Sequence, residues 1–371
     1  MTRKEFYNEI LKLAPSEYDA SKCEFPKHLE YILNSYYKLL DELEESERPD
    51  VGFATWEETK QMIRDLNDAI NKSVDLNYNG LYSDAFSRLS DAIKKEYHNA
   101  ETDEQIEEAF VLRYFFGKDY YRMRMFDEGE KHDRNGMFHI PFDKRTIVKT
   151  QRFSAPGSPC LYMGTSVYVC WEENHKPNLD KCYVSRFQSI DRFSPSFCDM
   201  SLPLIDDIMK ADEQKFRHIL LRLPLILACM VKVAKPDDPF KPEYIIPQLF
   251  MEYIKGSFYK ENDPFCGIAY TSVRKSADYD FNPDKSINIA IPTTSSGKKF
   301  SEELCNLFQL TEPTCYELER AKCPYQVIER DEKMSDLEYN YRISIFGQLE
   351  ARLKDKTKFP LDKIDNSTFG S

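Results

Sequence analysis

The chain has 371 residues, 41% apolar and 31% charged, with 25 Phe and 23 Tyr, a composition that supports a sizeable core and two domains. Its formal net charge is −12 and its basic residues are scattered among acidic ones. A nucleic-acid partner, which needs clustered Lys and Arg against phosphates, is therefore not expected.

From Lys4 to Phe116 the apolar residues recur at three- and four-residue spacing, as in Leu29-Ile32-Leu33-Tyr36-Leu39-Leu40 and Met62-Ile63-Leu66-Ile70, which predicts helices. Ser83-Asp84 and Thr102-Asp103 read as helix starts ahead of Leu89-Ile93 and Ile106–Phe110. Residues 1–117 are expected to form a helical bundle of four or five helices with no embedded chemistry.

The texture changes at Gly117. Short β-prone runs at 120–125, 160–163, 183–187, 268–271 and 287–291 alternate with turn clusters such as Ser154-Ala155-Pro156-Gly157-Ser158-Pro159. Helical patterns fall at 165–175, 201–212, 214–233 and 244–255. Residues 118–310 thus read as an α+β domain with a mixed β-sheet and interspersed helices. Residues 311–371 read as an extension packed on that domain: a polar loop, a strand near 325–329, a helix at about 336–354 and a disordered tail. The most apolar stretch, Ile219–Val233, contains Arg222, Pro224 and Lys232 and is shorter than the roughly 20 residues of a bilayer span, so it reads as a buried helix and no membrane partner is expected.

The ten cysteines show no Cys-x-x-Cys pair and no histidine at zinc-finger spacing, so no metal site is expected. Apolar neighbours such as Pro159 and Leu161 around Cys160 read as buried free thiols, which fits a reducing cytoplasmic compartment. The N-terminus carries no signal-peptide core. With 12 glycines and neither a Gly-x-Gly-x-x-Gly nor a Walker sequence, no glycine-rich phosphate loop is present, and a Gly-x-Ser-x-Gly nucleophile turn is absent too.

Candidate chemistry concentrates in the second domain. Arg122 and Arg124, at i and i+2, share one face of a strand. Arg152 precedes Ser154 and the Pro-Gly turn, Tyr162 ends the next strand, and Glu173, beside Glu172, lies eleven positions beyond Tyr162. Guanidinium groups bind a pyrophosphate bidentately. A tyrosine ring stacks on a flat heterocycle. A carboxylate stabilises the positive charge that develops as an N-glycosidic bond breaks. Taken singly, each has an ordinary alternative: exposed strand arginines in ion pairs, a loop clamp, a core tyrosine, solvated helix carboxylates. His175, close after Glu173, reads as a helix-end cap in preference to a pocket residue.

The ordered set resembles a known family. The run Met137-Phe138-His139-Ile140-Pro141-Phe142, then Gln151-Arg152-Phe153-Ser154, Pro156-Gly157, Pro159-Cys160-Leu161-Tyr162 and Cys170-Trp171-Glu172-Glu173, is similar to the RES domain. That family has Tyr-Arg, then Gly-Arg-Trp-Asn-x-x-Gly-x-x-x-x-Tyr, then a glutamate eleven residues on. The resemblance covers about half the chain. It implies an ADP-ribosyltransferase-like fold that consumes NAD+ by hydrolysis or phosphorolysis, with NAD+ as substrate, no further cofactor, and growth arrest by NAD depletion as the biology. Glu173, Arg122 and Tyr162 take the catalytic positions, with Arg152, Arg124, Ser154, Ser272, Gln248 and Glu172 toward the NAD+. Many such proteins are silenced by an antitoxin partner. Here the helical extension offers other roles: gating the pocket, sensing a trigger through a regulatory protein, or forming a homo-oligomer. Gln151 and Phe153 depart from the Gly and Trp of the pattern. Ile245 stands where the family serine falls, which leaves Ser272 to take that role or the acceptor chemistry altered.

Three rival readings remain at this stage. The same residues serve an ADP-ribosyltransferase acting on a protein, with one carboxylate of the Glu172-Glu173 pair orienting the acceptor and the other contacting the ribose. A non-catalytic interaction module on a decayed scaffold would account for the missing serine. Arg134 and His139 match the spacing of HEPN ribonucleases, but Gly136 between them and Pro141 after them disfavour the helix such a pair requires.

Overall fold

The computed structural model describes the chain apart from residues 53, 99–102, 106–111, 115–118, 130, 191–195, 258–264, 275–282, 294–298, 323–327, 332 and 361–371. Its elements begin with α1 (Arg3–Leu13), α2 (Phe25–Asp41), α3 (Trp56–Tyr78) and α4 (Tyr82–Lys94), followed by β1 (Glu96–His98), β2 (Asp103–Gln105), β3 (Leu112–Tyr114) and β4 (Tyr120–Arg124). Then come β5 (Cys160–Gly164), α5 (Val167–Glu173), β6 (Tyr183–Ser189), β7 (Ser196–Met200), α6 (Ile205–Met209), α7 (Glu213–Cys229) and α8 (Ile245–Ser257). The last are β8 (Phe265–Thr271), β9 (Ile287–Pro292), α9 (Glu302–Leu307), β10 (Phe308–Leu310), α10 (Tyr316–Lys322), α11 (Asp336–Ile343), α12 (Ile345–Lys354) and β11 (Phe359–Pro360).

The chain forms two compact units, and both are discontinuous. Unit 1 holds residues 1–113, 149–156 and 198–263; unit 2 holds 114–148, 157–197 and 264–371. This division differs from a linear one at 117 and 310, because α7 and α8 join the N-terminal helices.

Unit 1 is helical. Capping boxes start α1 (Thr2 with Glu5) and α3 (Thr55 with Glu58), each pairing two otherwise orphaned helix-start donors. Phe6 of α1 packs edge-on against Tyr36 of α2 and Phe216 of α7. Arg217, fully buried in α7, donates from Nε to Thr59 Oγ1 of α3 at 2.8 Å. Pro224 stands inside α7, where its missing N–H leaves the carbonyl one turn back, at Leu220, without its helical donor. The Tyr36 hydroxyl donates to that carbonyl at 2.7 Å. Asp103, predicted as a helix start, lies instead in β2 (Asp103–Gln105), which pairs antiparallel with β1, and residues 106–110 lie outside the described residues. Local spacing is ambiguous over so short a run, and pairing decides it.

Unit 2 carries a sheet whose strands run in the order β11-β10-β6-β4-β5-β9-β8, and the six ladders joining these seven are antiparallel. The unit combines strands and helices as an α+β fold. One sheet face buries Tyr120, Leu161, Met163, Phe187, Ile289 and Ile291. The opposite face buries Tyr121, Met123 and Val184 beneath α5, α11 and α12, through Val167, Tyr168, Tyr341, Phe346 and Leu349. Gly164 permits the close approach of α5, since a Cβ there would lie 2.3 Å from a Val169 methyl and 2.9 Å from Cys170 Sγ. The helix predicted at 336–354 is two helices. Ser344 between them has φ −66° and ψ 160°, and its hydroxyl accepts from the Gly347 N–H to start α12. The strand expected near 325–329 falls mostly on residues outside the description, as does the C-terminal tail.

Candidate active site

The carboxylate of Glu173 is the centre of a polar cluster in unit 2. It sits in the last turn of α5, a helix fixed at both ends. At the start, Ser166 Oγ accepts from the Val169 N–H at 3.0 Å, and the Val167 N–H donates to Glu350 Oε1 at 2.7 Å. At the other end, the N–H groups of His175 and Lys176 bond back to the carbonyls of Glu172 and Trp171, at 3.1 and 3.0 Å. These two bonds make the paired helix stop in which one residue turns left-handed. His175 takes that turn with φ 64°, where glycine is the usual choice. It therefore does cap the helix, as the sequence predicts.

Glu173 Oε1 accepts from Ser272 Oγ at 2.6 Å and from Asn288 Nδ2 at 2.7 Å. Both donors are buried, at 2% and 4% exposure, whereas the Glu173 side chain is 30% exposed. Arg274 Nε lies 3.5 Å from Oε2. The Ser272 hydroxyl in turn accepts from the Arg274 N–H at 3.1 Å. Arg274 Nη1 is 3.0 Å from His175 Nδ1. A guanidinium has donors only, so that imidazole nitrogen is the acceptor and carries no proton. The result is an immobilised anionic acceptor, open to solvent on one side, with a cation beside it. Such a group stabilises a neighbouring positive charge or orients a hydroxyl.

Asn288 follows directly from sheet register. It lies opposite Gly164 and Tyr270, while Tyr162 lies opposite Ala290, so Asn288 and Tyr162 share the face covered by α5. Tyr162 is half-buried. The register moves Arg122 and Arg124 elsewhere, a correction to the expectation that they converge on Glu173. They alternate with Tyr121 and Met123 and so share the face of Tyr120, opposite to Tyr162 and Asn288. Arg122 donates from Nη1 to the Tyr162 carbonyl at 2.7 Å, and Arg124 to the Gly136 carbonyl at 2.9 Å. Burial, then the neighbouring Arg124 charge, lowers the Arg122 guanidinium to about 10.

Three further candidates lie in unit 1. Arg152, 8% exposed, donates to the carbonyls of Cys229 and Val231 at 2.6 and 3.1 Å and stacks over Tyr244. It thus places a cation at the carboxyl end of α7. Gln248 Nε2 donates to Thr150 Oγ1 and to the carbonyls of Gln151 and Ser154, which pins the turn that carries Arg152. The Ser154 hydroxyl contacts Gln151 Oε1 at 3.3 Å. Ile245, at the expected place of the family serine, is buried at the start of α8.

Glu172, unlike its neighbour, is 2% exposed and lies 3.7 Å from Lys176 Nζ. Arg134 and His139 are not on a helix. Arg134 pairs with Glu312 at 2.7 Å, and the buried His139 accepts from the Ser301 N–H at 2.9 Å. Among the described residues no cluster of His, Cys, Asp and Glu is arranged to hold a metal. A cavity of about 480 Å³ in unit 2, lined by Trp171, Leu179, Tyr316 and Arg320 among others, does not include Glu173.

No protein-family model and no solved structure matches this chain. A similar curated protein is the one named Putative toxin YopC, from Bacillus subtilis (strain 168). It is 38% identical over 212 residues, which cover 53% of this chain and 46% of that protein. The chain spans about half the length of the relative it matches. Among the described residues no helix is long and apolar enough to cross a membrane.

Sequence alone assigns no site role to Asn288 or Arg274 and places His175 at the helix end without its contact to Arg274. Asn288 had a signal: it is the polar interruption in the run Ile287-Asn288-Ile289-Ala290-Ile291, all of which is buried. A buried amide in an apolar strand requires a partner. Arg274 had none, because its place depends on the turn that follows β8.

Proposed function

We propose that unit 2 is an NAD+-cleaving domain of RES type, with an ADP-ribosyltransferase-like fold, and that the chain acts as a toxin-type effector by depleting NAD+. The observation that carries this reading is the Glu173 carboxylate, fixed by Ser272 and Asn288 while its own side chain stays open to solvent. The toxin name of the relative from Bacillus subtilis supports the biological part. In the reaction, the bond between the ribose C1′ and the nicotinamide nitrogen breaks and its electron pair leaves with neutral nicotinamide. Glu173 stabilises the positive charge left on the ribose, and water attacks C1′. NAD+ and water thereby give ADP-ribose, nicotinamide and a proton. Phosphate in place of water gives ADP-ribose 1″-phosphate. Ser272 keeps the carboxylate oriented, so the serine role falls to it rather than to position 245. Tyr162, on the same sheet face, is the ring that stacks on the nicotinamide in this reading. Protein ADP-ribosylation is the weaker reading, because Glu172 is buried and cannot meet an acceptor chain.

The test is incubation of the folded protein with NAD+ and chromatography of the products. Wild type is expected to release nicotinamide, and Glu173→Gln to lose at least about a hundredfold of that rate, the usual scale for removing one preorganised charge-stabilising group. Constant NAD+ with wild-type protein rules the reading out.

A further inference from the structure

We propose that Arg274 supplies the guanidinium that binds the pyrophosphate of the dinucleotide, with His175 as its positioning residue. This rests on the NAD+ reading above. Of the arginines that sequence placed toward the dinucleotide, Arg122 and Arg124 belong to the other sheet face and are committed to the carbonyls of Tyr162 and Gly136, and the buried Arg152 is committed to the carbonyls of Cys229 and Val231. Arg186 in the same unit is held by Asp119 at 2.7 Å. Arg274 stands beside Glu173, is 32% exposed, and among the described residues has no hydrogen bond to its Nη2.

Electrostatics requires a cation at this place. A carboxylate fixed in a half-buried cluster repels a pyrophosphate that must lie within a nucleotide's length of it. One guanidinium between the two removes that repulsion and offers paired donors to the phosphate oxygens. Arg274 is held for this by two anchors of different kind. Its backbone N–H is tied to Ser272 Oγ, the same hydroxyl that orients Glu173. Its Nη1 donates to His175 Nδ1. His175 reaches that point only because it takes the left-handed turn closing α5. Aspartate and asparagine are the other side chains that tolerate this turn, and asparagine also brings an acceptor.

Two measurements on the full chain test the proposal. First, ADP-ribose binding is titrated by calorimetry for wild type, Arg274→Ala and Arg274→Lys. Wild type is expected to bind, with Arg274→Ala weakened roughly tenfold or more and Arg274→Lys between them, since lysine keeps the charge and loses the fork. Equal affinity of wild type and Arg274→Ala, or no binding by wild type, overturns the proposal whether or not the protein turns over NAD+. Second, cleavage of NAD+ is compared with cleavage of nicotinamide riboside, which has the same glycosidic bond and no phosphate. The loss in kcat/KM on NAD+ in Arg274→Ala is expected to exceed the loss on the riboside by roughly tenfold, carried in KM. Equal losses on both substrates overturn it, because they assign Arg274 to the Glu173 cluster alone. For the positioning role, His175→Ala is expected to show the same selective rise in KM and His175→Asn to restore most of it. A wild type that binds ADP-ribose through Arg274 but cleaves neither substrate refutes the NAD+-cleavage reading instead.

Discussion

Glu173 and His139 show how differently two polar side chains of one unit use their surroundings. Glu173 is fixed by hydrogen bonds yet faces water, which leaves its charge available to a ligand. His139 is fully buried between Phe138, Phe142 and Phe300, accepts from the Ser301 N–H and lies 2.8 Å from the Ile140 carbonyl. Burial lowers its imidazole to about 4. An unfolded chain binds that proton near pH 6.5, so the unfolded state takes up protons first as pH falls. The stability from neutral His139 is complete above about pH 6.5 and is lost between there and about pH 4, with about 3 kcal/mol at stake. Urea unfolding at pH 7 and pH 5 is expected to show a lower midpoint at pH 5. His139→Gln is expected to flatten that difference. An equal pH dependence in the variant would assign it to other groups.

At the scale of the element, α7 illustrates how a helix tolerates a residue that should break it. Pro224 removes one backbone bond, and the Tyr36 hydroxyl of α2 replaces the missing donor on the Leu220 carbonyl. Tyr36→Phe therefore orphans a buried carbonyl and is expected to cost about 1–3 kcal/mol. Pro224→Ala restores the N–H to the helix. In that background Tyr36→Phe is expected to cost distinctly less, because the carbonyl has a donor again. A double-mutant cycle by denaturant unfolding measures the coupling, and strict additivity would refute the compensation. The end of α5 shows the complementary case. There a non-glycine residue accepts a left-handed turn, and the backbone bonds that close the helix also bring the His175 ring to Arg274.

At the scale of the whole molecule, both units are assembled from separated stretches of chain. The helices of residues 1–94 do not complete a core by themselves: Phe6 packs on Phe216, Tyr36 bonds Leu220, and Thr59 accepts from Arg217, all three from α7. A fragment of residues 1–117, the domain a linear reading would cut, lacks α7 and α8. It is expected to show helical circular dichroism without a cooperative thermal transition, whereas the full chain unfolds cooperatively. A sharp, two-state transition in the fragment would show that α7 is dispensable to the N-terminal helices.

The local facts were legible in the sequence because local physics writes them there. Three- and four-residue spacing marked α2 and α3, short β-prone runs between turn clusters marked β4, β5, β6, β8 and β9, and the carboxyl end of α5 was located with its histidine cap. The resemblance to the RES domain also singled out Glu173, Ser272 and Tyr162, leaving open whether they meet. What the sequence could not contain was register and long-range pairing. A one-residue step along β4 exchanges sheet faces, and that step separates Arg122 and Arg124 from Glu173 while Asn288, more than a hundred positions downstream of it, donates to its carboxylate. The same holds for α7, whose buried helix was foreseen but whose partners were not. Periodicity names the face a helix hides, and only the tertiary structure decides what covers it.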